Sequence, residues 1–212
     1  MRGMFVTFEG GEGAGKTTLI EELSKRLAVM DYSILKTREP GGTKLGEHIR
    51  QILLQHSKDM PISARAELSL FLASRAQHVE EVILPALQEG KVVLCDRFND
   101  STLAYQGGAR DLGIEEIAPF CSYMAYNLEP HLTLYLDLDP KIGLERARVH
   151  RKETGYDRIE SEKLAFHQKI REYFLALAKQ HPERIQVIDA GKSQKEVLHE
   201  ALEAILDLLK LH

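Results

Sequence analysis

Cysteine is scarce: the 212 residues hold two, Cys95 and Cys121, at no metal-binding spacing. A disulfide framework is out of place in a chain this long, which buries enough surface to need no staple. Both thiols read as reduced, small and buried, in a cytoplasmic protein. Basic excess is missing too. The formal net charge is −4, which argues against a general nucleic-acid binder, whose footprint is usually basic. No apolar run approaches the roughly 18 residues that argue for a membrane span. Met1-Arg2-Gly3 leads straight into a strand pattern, without the apolar stretch of a signal peptide. With no repeat, low-complexity tract or linker, the length points to one domain over residues 1–212.

What is present is alternation. Short apolar runs at Met4–Phe8, Ser33–Lys36, Val92–Cys95, Leu132–Leu138 and Ile185–Ile188 read as strands. Helical patterns separate them: Thr17–Met30, Leu45–Leu54, a long stretch Ala64–Glu89 bent near Pro85, Ile114–Tyr126, two helices on either side of a charged break at His150–Tyr156, and Gln194–Leu209. Strands alternating with helices predict an α/β fold with a parallel sheet, whose ligands collect at the carboxyl ends of the strands. The unusual sequence lies at those ends.

After the first strand comes Gly10-Gly11-Glu12-Gly13-Ala14-Gly15-Lys16-Thr17-Thr18, which matches G-x-x-x-x-G-K-[ST]. The glycines let backbone N–H groups face a phosphate, and the following helix adds its dipole. Lys16 reaches the β and γ phosphates, and the Thr17 hydroxyl is a ligand for Mg²⁺. Thr18 either touches phosphate or is only a polar residue of the first turn. This loop predicts a nucleoside triphosphate without saying what is done with it. A GTPase switch would carry Asn-Lys-x-Asp, which the chain lacks. A motor ATPase usually needs more chain. A small-molecule kinase needs a second pocket.

Three segments are candidates for that pocket. Asp96-Arg97 ends an apolar strand; the carboxylate suits Mg²⁺ and the guanidinium suits a phosphate, or the two are a surface ion pair. Thr37-Arg38-Glu39-Pro40-Gly41-Gly42-Thr43 is a special turn that aims Arg38 at the crevice, or a plain connection. Phe71 and Arg75 share a helix face; an aromatic plane and a guanidinium would hold a flat base with a carbonyl edge, or else Phe71 is core and Arg75 a solvated charge.

Together, "FEGGEGAGKTT", "TREPGGT", "LFLASRAQHV", "DRFNDSTLAYQGGAR", "LTLYLDLDP" and "DRIE" resemble the thymidylate kinase (dTMP kinase) family of bacterial type, over nearly the whole chain. The resemblance implies a P-loop, nucleoside monophosphate kinase-like three-layer fold with a five-stranded parallel sheet surrounded by helices, and a homodimer. It implies transfer of the ATP γ-phosphoryl group to dTMP, with Mg²⁺ and without membrane or nucleic-acid partners. Phe71 resembles the ring that stacks on thymine and Arg75 the donor to its O4. Arg97 and Arg38 resemble the acceptor-phosphate clamp. Ser101 and Thr102 stand where the family contacts the base, Tyr105 beneath the deoxyribose, and Gln106 close by. Glu12 is expected near the acceptor 3′-hydroxyl. Where other members put an arginine next to this acid, the chain has Gly13, so catalytic charge is expected from a lid at about 146–158. Arg148 is the first candidate and Arg151 the second, since His150 takes an arginine register. Glu9 is either structural or holds a water near Mg²⁺. Two other readings stay open: a deoxynucleoside kinase on the same scaffold, and a non-catalytic nucleotide-binding module.

Overall fold

The computed structural model describes residues 3–55, 60–150, 158–159 and 161–210. Its frame is a five-stranded sheet in the order β2-β3-β1-β4-β5, with β1 (Met4–Gly10), β2 (Ile34–Arg38), β3 (Val92–Asp96), β4 (Leu132–Asp137) and β5 (Ile185–Asp189). All four pairings are parallel. Four strands run further at their carboxyl ends than the apolar runs suggest, and β4 stops earlier, at Asp137. β1 reaches Gly10, β2 reaches Arg38 and β3 reaches Asp96, so the polar residues at the sheet's carboxyl edge are themselves strand residues. Register puts Arg38 beside Asp96, and Asp96 beside Phe8.

Period-two alternation sorts side chains between two helical layers. Met4, Val6 and Phe8, with Val92, Leu94, Leu132, Leu134 and Leu136, pack towards α1 (Lys16–Val29) and α9 (Gln194–Lys210). Phe5, Val93 and Cys95 face the other way, onto the long helical stretch of residues 64–88. Thr7 and Glu9 share that second face of β1. Each is buried, and each bonds a polar partner there: Thr7 meets Thr133 at 2.8 Å, and Glu9 meets the segment after β3.

The second layer also holds α2 (Lys44–Leu54) and α3 (Ala64–His78), whose Thr43 and Ser63 cap them by accepting from the N–H groups of Gly46 and Ala66. The bend expected at Pro85 takes another form. α3 passes into a π-helical turn, Val79–Ile83, before α4 (Leu84–Gln88) begins with Pro85 in its first turn. The wider turn accommodates a residue that has no N–H to donate. A second π-helical turn, Leu103–Ala109, follows α5 (Asn99–Thr102) and carries Tyr105 and Gln106. α6 (Ile114–Met124), α7 (Pro140–His150) and α8 (Leu164–Gln180) complete the layers.

One buried ion pair ties α5 to the sheet. Arg184 donates to both oxygens of Asp100, at 2.7 and 2.8 Å, and Thr133 donates to the same carboxylate at 3.2 Å. Asp100 is 2% exposed. Removing Arg184 strands a charge in a medium that solvates it poorly. We predict that Arg184→Met lowers the unfolding free energy by about 3 kcal/mol, read as a lower urea midpoint with an unchanged slope.

Candidate active site

The loop after β1 closes onto α1 through Gly15, whose φ of 91° is left-handed. Lys16 is buried, and its ammonium donates to the carbonyl oxygens of Gly10 at 3.0 Å and Gly11 at 3.2 Å. Burial and then Arg97 lower its pKa, while Asp96, Glu12 and Glu9 oppose them. The identity of residue 13 has a steric cause. Its φ is +67°, and a Cβ there would lie 2.1 Å from the Gly143 carbonyl oxygen on α7. An arginine has no room at this place, so the loop cannot carry its own.

Thr17 donates to Asp96 Oδ2 over a long 3.5 Å, and Asp96 Oδ1 is buried with no hydrogen-bond partner. An orphaned carboxylate oxygen next to a hydroxyl at the loop's mouth fits a divalent cation completed by phosphate oxygens and water. No three His, Cys, Asp or Glu among the described residues gather into a self-sufficient metal site. A Mg²⁺ held largely by its nucleotide needs none.

Asp96 and Arg97 do not form the surface pair that was one reading of them. Arg97 donates instead to Glu12 at 2.8 Å and to Ser101 Oγ at 3.3 Å, and its guanidinium stands 5.1 Å from the centre of the Tyr105 ring. Its φ of 71° is left-handed, a strained choice for a long side chain. Two bonds hold it: the Arg97 N–H to the Phe8 carbonyl at 3.0 Å, and the Cys95 thiol to the Arg97 carbonyl at 3.1 Å. Burial works against the charge of Arg97. Tyr105, Glu12, Asp96 and Glu9 outweigh it and hold its pKa above the ordinary arginine value. Burial raises the pKa of the Tyr105 hydroxyl, and Arg97 opposes that rise.

Glu9 is structural. It accepts from the N–H of Phe98 at 2.8 Å, the N–H of Ser101 at 3.3 Å and the Ser101 hydroxyl at 2.5 Å. It therefore sets the start of α5 and, through Ser101, steadies Arg97. Burial, followed by the nearby charge of Asp100, pushes its pKa up to about 7.

On α3, Arg75 is no solvated charge. It is 1% exposed and donates to Glu39 at 2.7 Å and to Thr102 at 3.0 Å. Phe71, one turn earlier, is half-buried. Gln106 donates inward to Glu67 at 2.8 Å. Arg38 is exposed and donates to Glu47 at 2.9 Å, and the Glu39–Pro40 bond beside it is cis.

Nearly all the residues expected to bind nucleotide line one cleft of about 1560 Å³, from Glu12 through Thr18 at one end to Phe71, Arg75 and Tyr105 at the other. Gly10 and Gly11 serve it from behind, through Lys16. The lid is less complete. Arg148 is exposed and is not part of the lining, whereas its neighbour Arg146 is, donating to the Ala190 carbonyl at 3.3 Å. Arg151 and the side chain of His150 lie outside the described residues. Sequence reasoning passed over Glu39 and Glu67. Glu67 is buried and accepts from Gln106, Arg110 and Arg158. Its place four residues before Phe71, and eight before Arg75, is the signal that would have marked it.

A family model described as thymidylate kinase matches residues 8–202. The chain belongs to the thymidylate kinase family. The thymidylate kinase of Protochlamydia amoebophila is 52% identical over 206 residues, spanning 95% of this chain and 92% of its own. That of Acholeplasma laidlawii is 48% identical over 206 residues, spanning 97% and 100%. A crystal structure of thymidylate kinase from Ehrlichia chaffeensis superposes with a TM-score of 0.76 at 30% identity, covering 97% of this chain and 99% of its own. As a thymidylate kinase the chain is a nucleoside monophosphate kinase, a phosphotransferase that uses a nucleotide donor and acts on dTMP. No helix among the described residues is long and apolar enough to cross a membrane.

The raised pKa of Glu9 predicts a pH-dependent stability. A carboxyl whose folded pKa exceeds its unfolded value stabilises fully below the unfolded value, and that contribution is lost as pH rises through the folded one. For Glu9 the window runs from its ordinary 4.5 to about 7. Glu9→Gln keeps the shape without the titration. It should flatten the fall in thermal midpoint across this window, a difference on the order of 3 kcal/mol at its upper end.

Proposed function

We propose that the chain transfers the γ-phosphoryl group of ATP to the phosphate of dTMP, yielding dTDP for dTTP synthesis. The observation that carries this reading is the single continuous cleft, with phosphate-loop groups at one end and an aromatic–guanidinium pocket at the other. At about 1560 Å³ it exceeds the roughly 300–1,000 Å³ of a one-ligand pocket. Two nucleotides can meet in it head to head.

In this reading the loop amides and Lys16 receive the donor phosphates, and Lys16 exchanges its Gly10 and Gly11 carbonyls for them. Asp96 and Thr17 hold Mg²⁺, which neutralises donor phosphate charge when bound. Arg97 and Arg38 take the acceptor phosphate, each leaving a carboxylate partner to do so. Phe71 stacks on the thymine, Arg75 offers its remaining N–H groups to O4, and Tyr105 lies under the deoxyribose. Ser101, Thr102 and Gln106 sustain that pocket by holding Arg97, Arg75 and Glu67. Glu12, on parting from Arg97, accepts from the 3′-hydroxyl. The acceptor oxygen attacks directly, so no covalent enzyme intermediate is needed.

Cys95 and Cys121, both buried free thiols, support a cytoplasmic home. Phe120 and Tyr123 on α6, 59% and 77% exposed, are apolar surface that a homodimer would cover.

ADP release measured across nucleoside monophosphates tests the assignment: dTMP with Mg-ATP should turn over and thymidine should not. Turnover of another monophosphate in place of dTMP contradicts it. The lid makes a second prediction. Arg148→Ala should lower kcat by about 10³-fold or more with little change in the KM for dTMP, since a lid arginine acts in the transition state. An unchanged kcat transfers the role to Arg151.

A further inference from the structure

We infer that Thr37, His78 and Glu39 form a buried relay that positions Arg75, and that this relay sets the preference for a carbonyl over an amino group on the acceptor base. The inference rests on the proposed acceptor reading, in which Arg75 faces the base.

Arg75 has five N–H groups in a rigid fork. One goes from Nε to Glu39 Oε2 at 2.7 Å, and one from Nη1 to Thr102 Oγ1 at 3.0 Å. The guanidinium also stands 5.1 Å from the centre of the Phe98 ring. Three N–H groups remain on a side chain that lines the cleft. The fork is planar, so whatever fixes the Glu39 carboxylate fixes the direction of those three.

Glu39 is held in turn. Its Oε1 lies 3.0 Å from His78 Nδ1, and His78 Nε2 lies 2.6 Å from the Thr37 hydroxyl. Glu39 and His78 are both buried, and His78 is three residues after Arg75, on the same face of α3. The ring is clamped from its far side as well. A Cβ at Gly42, where φ is +77°, would come within 2.5 Å of His78 Cδ2 and Nε2. The relay thus joins the helix that carries Arg75 to the turn that follows Arg38.

Donor and acceptor roles follow from chemistry. Burial disfavours the Glu39 charge, but Arg75 and His78 outweigh it and keep the group ionised. A carboxylate only accepts, so His78 Nδ1 must carry a proton. With the ring neutral, Nε2 is then a bare acceptor and Thr37 donates to it. The chain is therefore directed: the Thr37 hydroxyl to Nε2, Nδ1–H to Oε1, and Arg75 Nε–H to Oε2. Every polar group in it is satisfied. Without the Thr37 hydroxyl the ring loses the partner that selects this tautomer. The other tautomer would set a nitrogen lone pair against the carboxylate, and Glu39 would no longer be pinned on both oxygens.

The consequence falls on base selection. Guanidinium groups donate and never accept. A carbonyl at ring position 4 satisfies them, whereas an amino group there leaves both sides unpaired, a strong basis for discrimination in a buried site. That discrimination lasts only while Arg75 cannot turn away.

The experiment compares kcat/KM for dTMP and for 5-methyl-dCMP, which differ at that position. The proteins are the unaltered chain, Thr37→Val, Thr37→Ser, His78→Leu and His78→Asn. Thermal midpoints report folding, and nitrogen-15 NMR of the unliganded protein reports the His78 tautomer. We expect an Nδ1-protonated ring. Thr37→Val and His78→Leu should lower the dTMP preference about tenfold or more. Thr37→Ser, which keeps the hydroxyl, should retain it. His78→Asn, which keeps a donor towards Glu39, should fall between. An unchanged preference in folded Thr37→Val overturns the inference alone, as does an Nε2-protonated ring. If His78→Leu fails to fold, the near-isosteric Thr37→Val and the tautomer still decide. Absence of dTMP turnover by the unaltered chain overturns the acceptor reading and the inference with it.

Discussion

Cations gathered along one cleft must be kept from repelling one another, and in this protein carboxylates do that. Arg97 rests on Glu12, Arg75 on Glu39, and Arg38 on Glu47. Arg110 and Arg158 share Glu67. In a half-buried cleft such pairs are screened less than at the surface, and an unpaired member would be costly. The pairing explains why an acidic residue sits inside a phosphate-binding loop. Glu12 holds the Arg97 guanidinium folded back against the loop, along the cleft that both residues line. It also fits the net charge of −4, since a chain can be acidic overall and still focus positive groups on one crevice.

The sheet makes these pairings possible. β1 lies between β3 and β4, so the phosphate loop and the Asp96-Arg97 turn leave adjacent strands at the same edge. Alternation along β1 then sends Phe8 to one layer and Glu9 to the other, where Glu9 meets α5. A shift of one residue in that strand would exchange the two and leave the turn after β3 without its anchor. The active site is thus specified by the same periodicity that specifies the core.

That periodicity is why the frame could be read from the sequence: strands buried on both faces are short apolar runs, and glycine-rich segments mark their carboxyl ends. The positions of Lys16, Asp96 and Arg97 along one cleft were legible because each belongs to a local motif. Glu39 was visible only as part of a turn, and Glu67 only as a charge on a helix. What makes each matter is a partner brought from another element, Arg75 for one and Gln106 and Arg110 for the other, and spacing along the chain does not encode such meetings. The π-helical turns escaped for a related reason. They arise where Pro85 must be accommodated and where Tyr105 must be turned towards Arg97, and neither need disturbs the apolar pattern. Arg148 was legible only as part of a dense basic segment; α7 brings its neighbour Arg146 to the cleft lining, and Arg148 is exposed.

The backbone contact between Gly13 and Gly143 reaches beyond the loop itself. Each position is closed to a side chain by the carbonyl group of the other's segment, so two sites far apart in sequence behave as a single locus. A mutational library would find each intolerant alone, and a compensating change at one could not rescue the other, because neither has volume to give up. Any route by which such a chain could acquire an arginine at position 13 therefore begins with moving α7, the helix that carries Gly143.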